Sequence, residues 1–295
     1  MKANTIKVSF PASFGELVQG VYNEKPFLCS YAVNCYSTVT ITRQDYDQRN
    51  SMTLPLKSQI LLNKLRERLQ LSQQEWRGLH IKLENSIPCE KGMGSSTADL
   101  AAIMYGVCAF FGVRCQPDEV AKLACGIEPT DSLIYPSLTL MDSTSGNVLK
   151  HFPQKHFYSL VGLELPHKVN TLALHQQLRQ HVWNEKQQRE LYELTCAAFV
   201  SQSMDLVFEA AELSARMNQM ILKKPHLEEL MELKSVRGVK GLNVSHTGSV
   251  VGIVYDDTKI KAETMIKLIK SIDSTSLYKI NRYNMIPSSP MITIN

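Results

Sequence analysis

The densest group of residues able to do chemistry lies at 87–98, IPCEKGMGSSTA. Gly92 and Gly94 let backbone N–H groups close on an anion, and Ser95, Ser96 and Thr97 add hydroxyl donors. Lys91 adds a cation, while Pro88, Glu90 and Met93 complete the loop. The segment follows an alternating pattern, GLHIKLE, and opens an apolar stretch, ADLAAIMYGVCAFFG. The hydroxyls would then stand at a helix N-terminus, whose unsatisfied N–H groups and partial positive charge favour phosphate. Such a loop is a cradle for a polyphosphate, with Ser96 able to face a metal ion. The same string also reads as a tight turn capped by Ser or Thr. It is neither of two commoner phosphate signatures, since no G-K-[ST] occurs and its glycines do not fit G-x-G-x-x-G.

A second group is Glu128-Pro129-Thr130-Asp131, where a short helical pattern ends in a Pro-containing turn. Both acids can project from such a turn into a cleft, and a carboxylate there can accept the proton of a hydroxyl under attack. The plain alternative is a helix-ending turn with solvated acids. Glu16, in FGELVQG, is a candidate partner for a substrate ammonium, or else a salt-bridging or capping acid in a turn. His246, beside Gly248, either lines a site or is a hydrogen-bonded loop histidine.

These residues need elements to hold them. Ile6, Val8 and Phe10 alternate with polar residues, as do Val39 and Ile41 in STVTITR and Leu79, Ile81 and Leu83 in GLHIKLE, so three strands are expected. KSQILLNKLRERLQL predicts a helix with Ile60, Leu61, Leu65 and Leu69 on its buried stripe. The helix after the glycine loop is apolar on nearly every side, so it should be buried, with Gly112 ending it. PDEVAKLACGIEPTD predicts a short helix with Pro117 in its first turn and Val120, Leu123, Ala124 and Ile127 on its buried face. LTLMDSTSGNVLKHF predicts a hairpin turning at Ser145-Gly146-Asn147. Helices follow in LALHQQLRQHVW, QRELYELTCAAFV, MDLVFEAAELSARMNQMI and HLEELMEL. Then come two strands (KGLNVSH, SVVGIVYD), a helix (KAETMIKLIKSI) and a last strand (SLYKINRY).

Composition sets outer bounds. The 295 residues suit about two lobes. At 44% hydrophobic and 20% charged they can bury real cores, which excludes a disordered chain. A net charge of +4, without a basic run interleaved with aromatics, argues against nucleic acid. No apolar run approaches the ~20 residues of a membrane span, and the start lacks a secretory core. Seven cysteines without a C-x-x-C pair read as reduced thiols, so a cytoplasmic protein is expected. Lys259, Lys261, Lys267 and Lys270 read as a solvated helix face. Trp76, Trp183 and the methionines Met204, Met217, Met220 and Met231 read as packing residues.

The string P-x-x-x-G-M-G-S-S-x-A, carried by Pro88, Gly92, Met93, Gly94, Ser95, Ser96 and Ala98, resembles the phosphate loop of the GHMP kinases. PASFGELVQG (11–20) resembles their N-terminal motif. GLNVSHTGSVVG (241–252) stands where their C-terminal glycine-rich loop belongs, though only Gly248 remains between Ser245 and Ser249. Glu90 departs from the pattern, small residues being common there. The three segments occur in the family's order, so the resemblance spans nearly the whole chain. Within the family, PAS-x-GEL-x-QG, IEPTD and SHTGSVVG look like the L-threonine kinases of adenosylcobalamin synthesis.

The resemblance implies an α+β, two-lobed fold: an N-terminal α/β ATP-binding lobe over 1–160 and a C-terminal ferredoxin-like lobe over 161–295. It implies ATP and Mg²⁺ as cofactors and a free amino acid as partner, L-threonine, phosphorylated to O-phospho-L-threonine. Residues 88 and 90–97 would hold the nucleotide. Asp131 would be the base, as in mevalonate kinases and galactokinases, and would touch the substrate with Glu16. Ser96 and Glu128 would hold magnesium, by likeness to homoserine kinases, with Glu119 a rival for the carboxylate. Mevalonate kinases carry a Lys where Ser13 stands here, which leaves the transition-state cation to a residue such as Lys91. Two alternatives stay open. One is another GHMP kinase, such as one acting on homoserine, an isomer of threonine. The other is a non-catalytic nucleotide or metabolite sensor on the same fold, although a sensor has no need of Asp131.

Overall fold

Ile6, Val8 and Phe10 are all buried, in a strand that does not stop at Pro11 but runs on through PASFGELVQG. The computed structural model describes residues 5–43, 54–166, 184–273 and 276–294. In it β1 (Thr5–Tyr22) turns at Asn23 and Glu24, both at positive φ, into β2 (Lys25–Arg43). Two successive left-handed residues match the right-handed twist of a hairpin. Register shifts after Pro11, Ser13 and Glu16 mark bulges, which absorb a proline and a left-handed glycine within one long strand.

Helix α1 (Leu56–Arg68), the short α2 (Gln73–Arg77) and β3 (Leu79–Asn85) lead to α3 (Ser95–Phe110). On α1 the buried face is Ser58, Leu61 and Leu65, whereas Ile60 is exposed, so the expected stripe is turned by one position. Helix α3 has no polar face because β1, β2, α1 and α4 (Pro117–Cys125) all pack around it. Leu100, Ile103, Met104 and Val107 are fully covered, each burial contributing about 1.5–3 kcal/mol. The helix ends at Phe110, and Gly112 follows in the left-handed region. Pro117 opens α4, with Val120, Ala121 and Ala124 buried and Leu123 and Ile127 half-buried. The hairpin β4 (Leu138–Met141) and β5 (Val148–Phe152) encloses the Gly146 turn.

The second half reads β6 (Ser159–Glu164), α5 (Glu185–Ser201), α6 (Met204–Asn218), α7 (Leu227–Met231), β7 (Val239–Val244), β8 (Val250–Tyr255), α8 (Ala262–Ile272) and β9 (Lys279–Ile286). The helix expected in LALHQQLRQHVW, with Trp183, lies outside the described residues. The strand order β7-β8-β6-β9, antiparallel throughout, is the ferredoxin-like arrangement. A final strand, β10 (Met291–Ile294), returns to pair with β1 and was not expected from the sequence.

The two lobes share one sheet, because β1 reaches β7 at Glu16↔Val244 and β2 reaches β9 at Ala32↔Ile286. Alternate residues of the second-lobe strands feed different cores. Leu160, Val250 and Val254 join the large first core, while Val161, Leu163, Val251 and Ile253 join a second one with α7 and α8. The four lysines at 259–270 are exposed, and so is Met220, which therefore fills no core.

Candidate active site

The three sequence segments meet at one point. Gly15 N donates to Gly92 O and Ser13 N to Met93 O, each at 3.1 Å, so the bulged strand β1 holds the loop from one side. Ser249 N donates to Lys91 O at 3.0 Å, so the β7–β8 loop holds it from the other. Gly92 and Gly94 have φ of +80° and +63°. A Cβ at Gly92 would overlap the Ser245 hydroxyl, and one at Gly94 would lie 2.5 Å from Ser13 Oγ and 2.8 Å from Asp131 Oδ2. Both positions thus need glycine for conformation and for space. Glu90 also takes positive φ, +58°, at the position where the sequence departs from the family pattern.

Gly94 caps α3, whose first N–H groups have no acceptor within the helix. The three hydroxyls that follow diverge. Ser95 Oγ accepts from Asn85 Nδ2 at 3.0 Å, tying the helix start to the end of β3. Ser96 Oγ donates to Glu128 Oε1. Thr97 Oγ1 accepts from the Asp131 backbone N–H at 3.3 Å, which pins the EPTD turn against the helix. Together they frame a cleft of about 350 Å³ lined by the loop, Glu16, Lys57, Glu128, Asp131 and Thr247, among others. That volume suits a small-molecule site.

Asp131 lies deep in this cleft. Burial, then the nearby Glu16 and Glu128 carboxylates, hold its carboxyl well above the usual range, and the Ser13 hydroxyl at 3.5 Å opposes them weakly. Glu16 is a buried strand residue rather than a turn acid. Its Oε2 accepts from His246 N at 2.8 Å and faces His246 Nδ1 at 3.2 Å, while Oε1 accepts no hydrogen bond among the described residues. His246 Nε2 is 2.8 Å from Ser214 Oγ, so the ring bridges Glu16 and Ser214. His246 is therefore a buried support for Glu16 and not part of the cleft lining. Behind it Asn218 bonds the His246 carbonyl and receives Lys224 Nζ at 3.3 Å. Burial pulls the Lys224 ammonium down to about 7, with the Glu16 charge opposing the fall.

All the nucleotide, substrate and metal candidates fall on this cleft except Lys91, whose ammonium is taken by the backbone carbonyls of Leu165 and Pro166. Glu119 is also elsewhere, closing the cap of α4 and pairing with Arg68. Sequence reasoning missed Lys57, which reaches in from the first turn of α1 to pair with Glu128. Its only signal was its place at the head of the KSQILL helix. Ser96 and Glu128 together fit a magnesium ion, which is commonly held by one or two protein oxygens while phosphates and water supply the rest.

Comparisons with known proteins bear on the family and the fold. The family model "GHMP kinases N terminal domain" matches residues 57–135, which include the loop and EPTD. The L-threonine kinase of Citrobacter freundii is 32% identical over 259 residues, covering 83% of this chain and 85% of its own. That of Salmonella typhimurium strain LT2 is 32% identical over 261 residues, 87% and 85% of the two chains. The crystal structure of homoserine kinase from Cytophaga hutchinsonii superposes with a TM-score of 0.75 at 16% identity, over 98% of both chains, a likeness of fold. The chain belongs to the GHMP kinases and is a small-molecule kinase of that family.

Proposed function

We propose that the chain phosphorylates the hydroxyl of free L-threonine with ATP, giving O-phospho-L-threonine for adenosylcobalamin synthesis in the cytoplasm. One observation carries the chemistry: a helix N-terminus, an Ser96–Glu128 oxygen pair and the high-pKa carboxyl of Asp131 converge across Gly94 in one cleft. The name of the two relatives supports the choice of acceptor. The seven free cysteines suit a reducing compartment. On this reading the lobes divide near residue 160, where β6 (Ser159–Glu164) begins the second lobe, and the first carries the nucleotide loop.

The geometry of the cleft supports the following roles. The N–H groups of the loop and of the first turn of α3 bind the phosphates, where the helix dipole offers about half a positive charge. Ser96 and Glu128 would hold Mg²⁺, which would supply neutralisation of phosphate charge. Asp131 accepts the proton of the threonine hydroxyl. Its raised pKa makes it a stronger acceptor than an ordinary carboxylate. Glu16 faces the substrate ammonium with Oε1, steadied through Oε2 by His246.

The test is ADP formation by the purified chain against a panel of free hydroxy amino acids and polyols. Threonine should give the highest kcat/KM. A preference for homoserine would replace the acceptor, and ADP formation with none of the panel would favour a sensor.

A further inference from the structure

We propose that Lys57 is the phosphoryl-stabilising cation of this site, held in reserve on Glu128 until nucleotide enters. The inference rests on the reading of the cleft as an ATP site. Its first ground is charge. Glu16, Glu90, Glu128 and Asp131 all line the cleft, and a polyphosphate would add further negative charge to them. Among the described residues of the lining, Lys57 is the single cation. Lys91 does not serve, because its ammonium is satisfied by the Leu165 and Pro166 carbonyls behind the loop.

The second ground is placement. Lys57 Nζ and Ser96 Oγ bond the two different oxygens of the same carboxylate, Glu128. The ammonium is therefore one carboxylate away from the hydroxyl that opens α3, the end of the helix where phosphate is expected. The third ground is freedom to move. The Lys57 side chain is 43% exposed, so its stem is not locked by packing, whereas Glu128 is 17% exposed. A half-exposed ion pair is weak, and a multiply charged phosphate within reach of the same ammonium outcompetes one carboxylate. Transfer of Lys57 from Glu128 to the phosphoryl oxygens also leaves Glu128 open to a divalent ion.

Three measurements on Lys57→Met, with Lys57→Arg as the charge-retaining control and thermal melting as the folding check, decide the matter. They are kcat, the Kd of ATP in EDTA, and the Mg²⁺ concentration giving half-maximal turnover. In Lys57→Met, kcat should fall roughly 100-fold, the usual loss for a donor aimed at developing charge. The Kd of metal-free ATP should rise about tenfold, the Mg²⁺ requirement should not rise, and Lys57→Arg should recover part of kcat. A kcat within a few-fold of wild type overturns the proposal. So does a raised Mg²⁺ requirement in parallel with lost kcat, since Lys57 would then only position Glu128. If the wild-type chain itself does not bind ATP, the reading of the cleft fails instead.

Discussion

Replacing Gly94 with alanine perturbs the site at its narrowest point. At φ +63° an added Cβ brings backbone strain, on the order of 1–2 kcal/mol for a non-glycine residue. It also arrives 2.8 Å from Asp131 Oδ2 and 2.5 Å from Ser13 Oγ, against an ordinary contact of 3.4–4 Å. One or both groups must therefore retreat by more than half an ångström. Strain alone lowers the melting temperature by a few degrees and leaves chemistry intact. Displacement of Asp131 acts on turnover, where a misplacement near 1 Å removes about 100-fold. The second effect should dominate: kcat falls on the order of 30–100-fold, more than ATP affinity does, while the variant stays folded. Steady-state kinetics varying threonine at saturating ATP, calorimetric titration with ATP and a melting curve measure the three quantities. Gly94→Val should deepen every loss, and its nucleotide affinity should fall strongly. A folded Gly94→Ala protein with wild-type kcat and ATP affinity would reduce the loop to an ordinary capped turn.

Further outcomes follow from the same geometry. Asp131→Asn keeps the shape but removes the proton acceptor, so kcat should drop by ~10²–10⁴ with ATP binding little changed; a rise confined to the KM for threonine would leave Asp131 as a hydrogen-bonding residue. Because burial and the neighbouring carboxylates raise its pKa, wild-type kcat/KM should climb with pH through a value above the ordinary carboxylate range, and the Asn variant should lose that limb. Ser96→Ala and Glu128→Gln should each raise the Mg²⁺ needed for half-maximal turnover by roughly tenfold or more, whereas Glu119→Gln, tied to Arg68, should not. The neutral form of Lys224 is favoured in the folded chain, so above pH about 7 the unfolded chain binds more protons and stability rises with pH toward 10.5. Relative to Lys224→Met, wild-type stability should gain up to about 1.4 kcal/mol per pH unit in that window, and denaturant melts giving a pH-independent difference would contradict the buried ammonium.

Much of this site was legible because its signals are local. Glycines followed by hydroxyls at the head of an apolar run mark a helix start, and α3 begins at Ser95 as the pattern predicts. The EPTD turn was placed by the end of the α4 pattern, and both acids line the cleft. What escaped was set by distant contacts. Lys91 looks like a phosphate ligand on its own loop, but carbonyls at the end of β6, more than seventy residues on, take its ammonium. Lys57 looks like one more charge at the start of a surface helix, and only the packing of α1 beside α3 and α4 brings it to Glu128. The strand pattern at Ile6, Val8 and Phe10 gives no sign of continuing past Pro11, yet bulges carry β1 on through Gly15 and make Glu16 a strand residue. The β10 strand escaped because its four residues, all exposed, depend on β1 for pairing and carry no buried face.

The most direct test of the central reading is the ³¹P spectrum of the product formed when the wild-type chain is given ATP, Mg²⁺ and equal amounts of threonine, homoserine and serine. Phosphate on the threonine hydroxyl couples to the single hydrogen of a secondary carbon and gives a doublet. Phosphate on homoserine or serine couples to a CH₂ group and gives a triplet. The account predicts a new doublet growing as ATP is converted to ADP, absent with Gly94→Val. A triplet as the main product, or loss of ATP to inorganic phosphate alone, would contradict it.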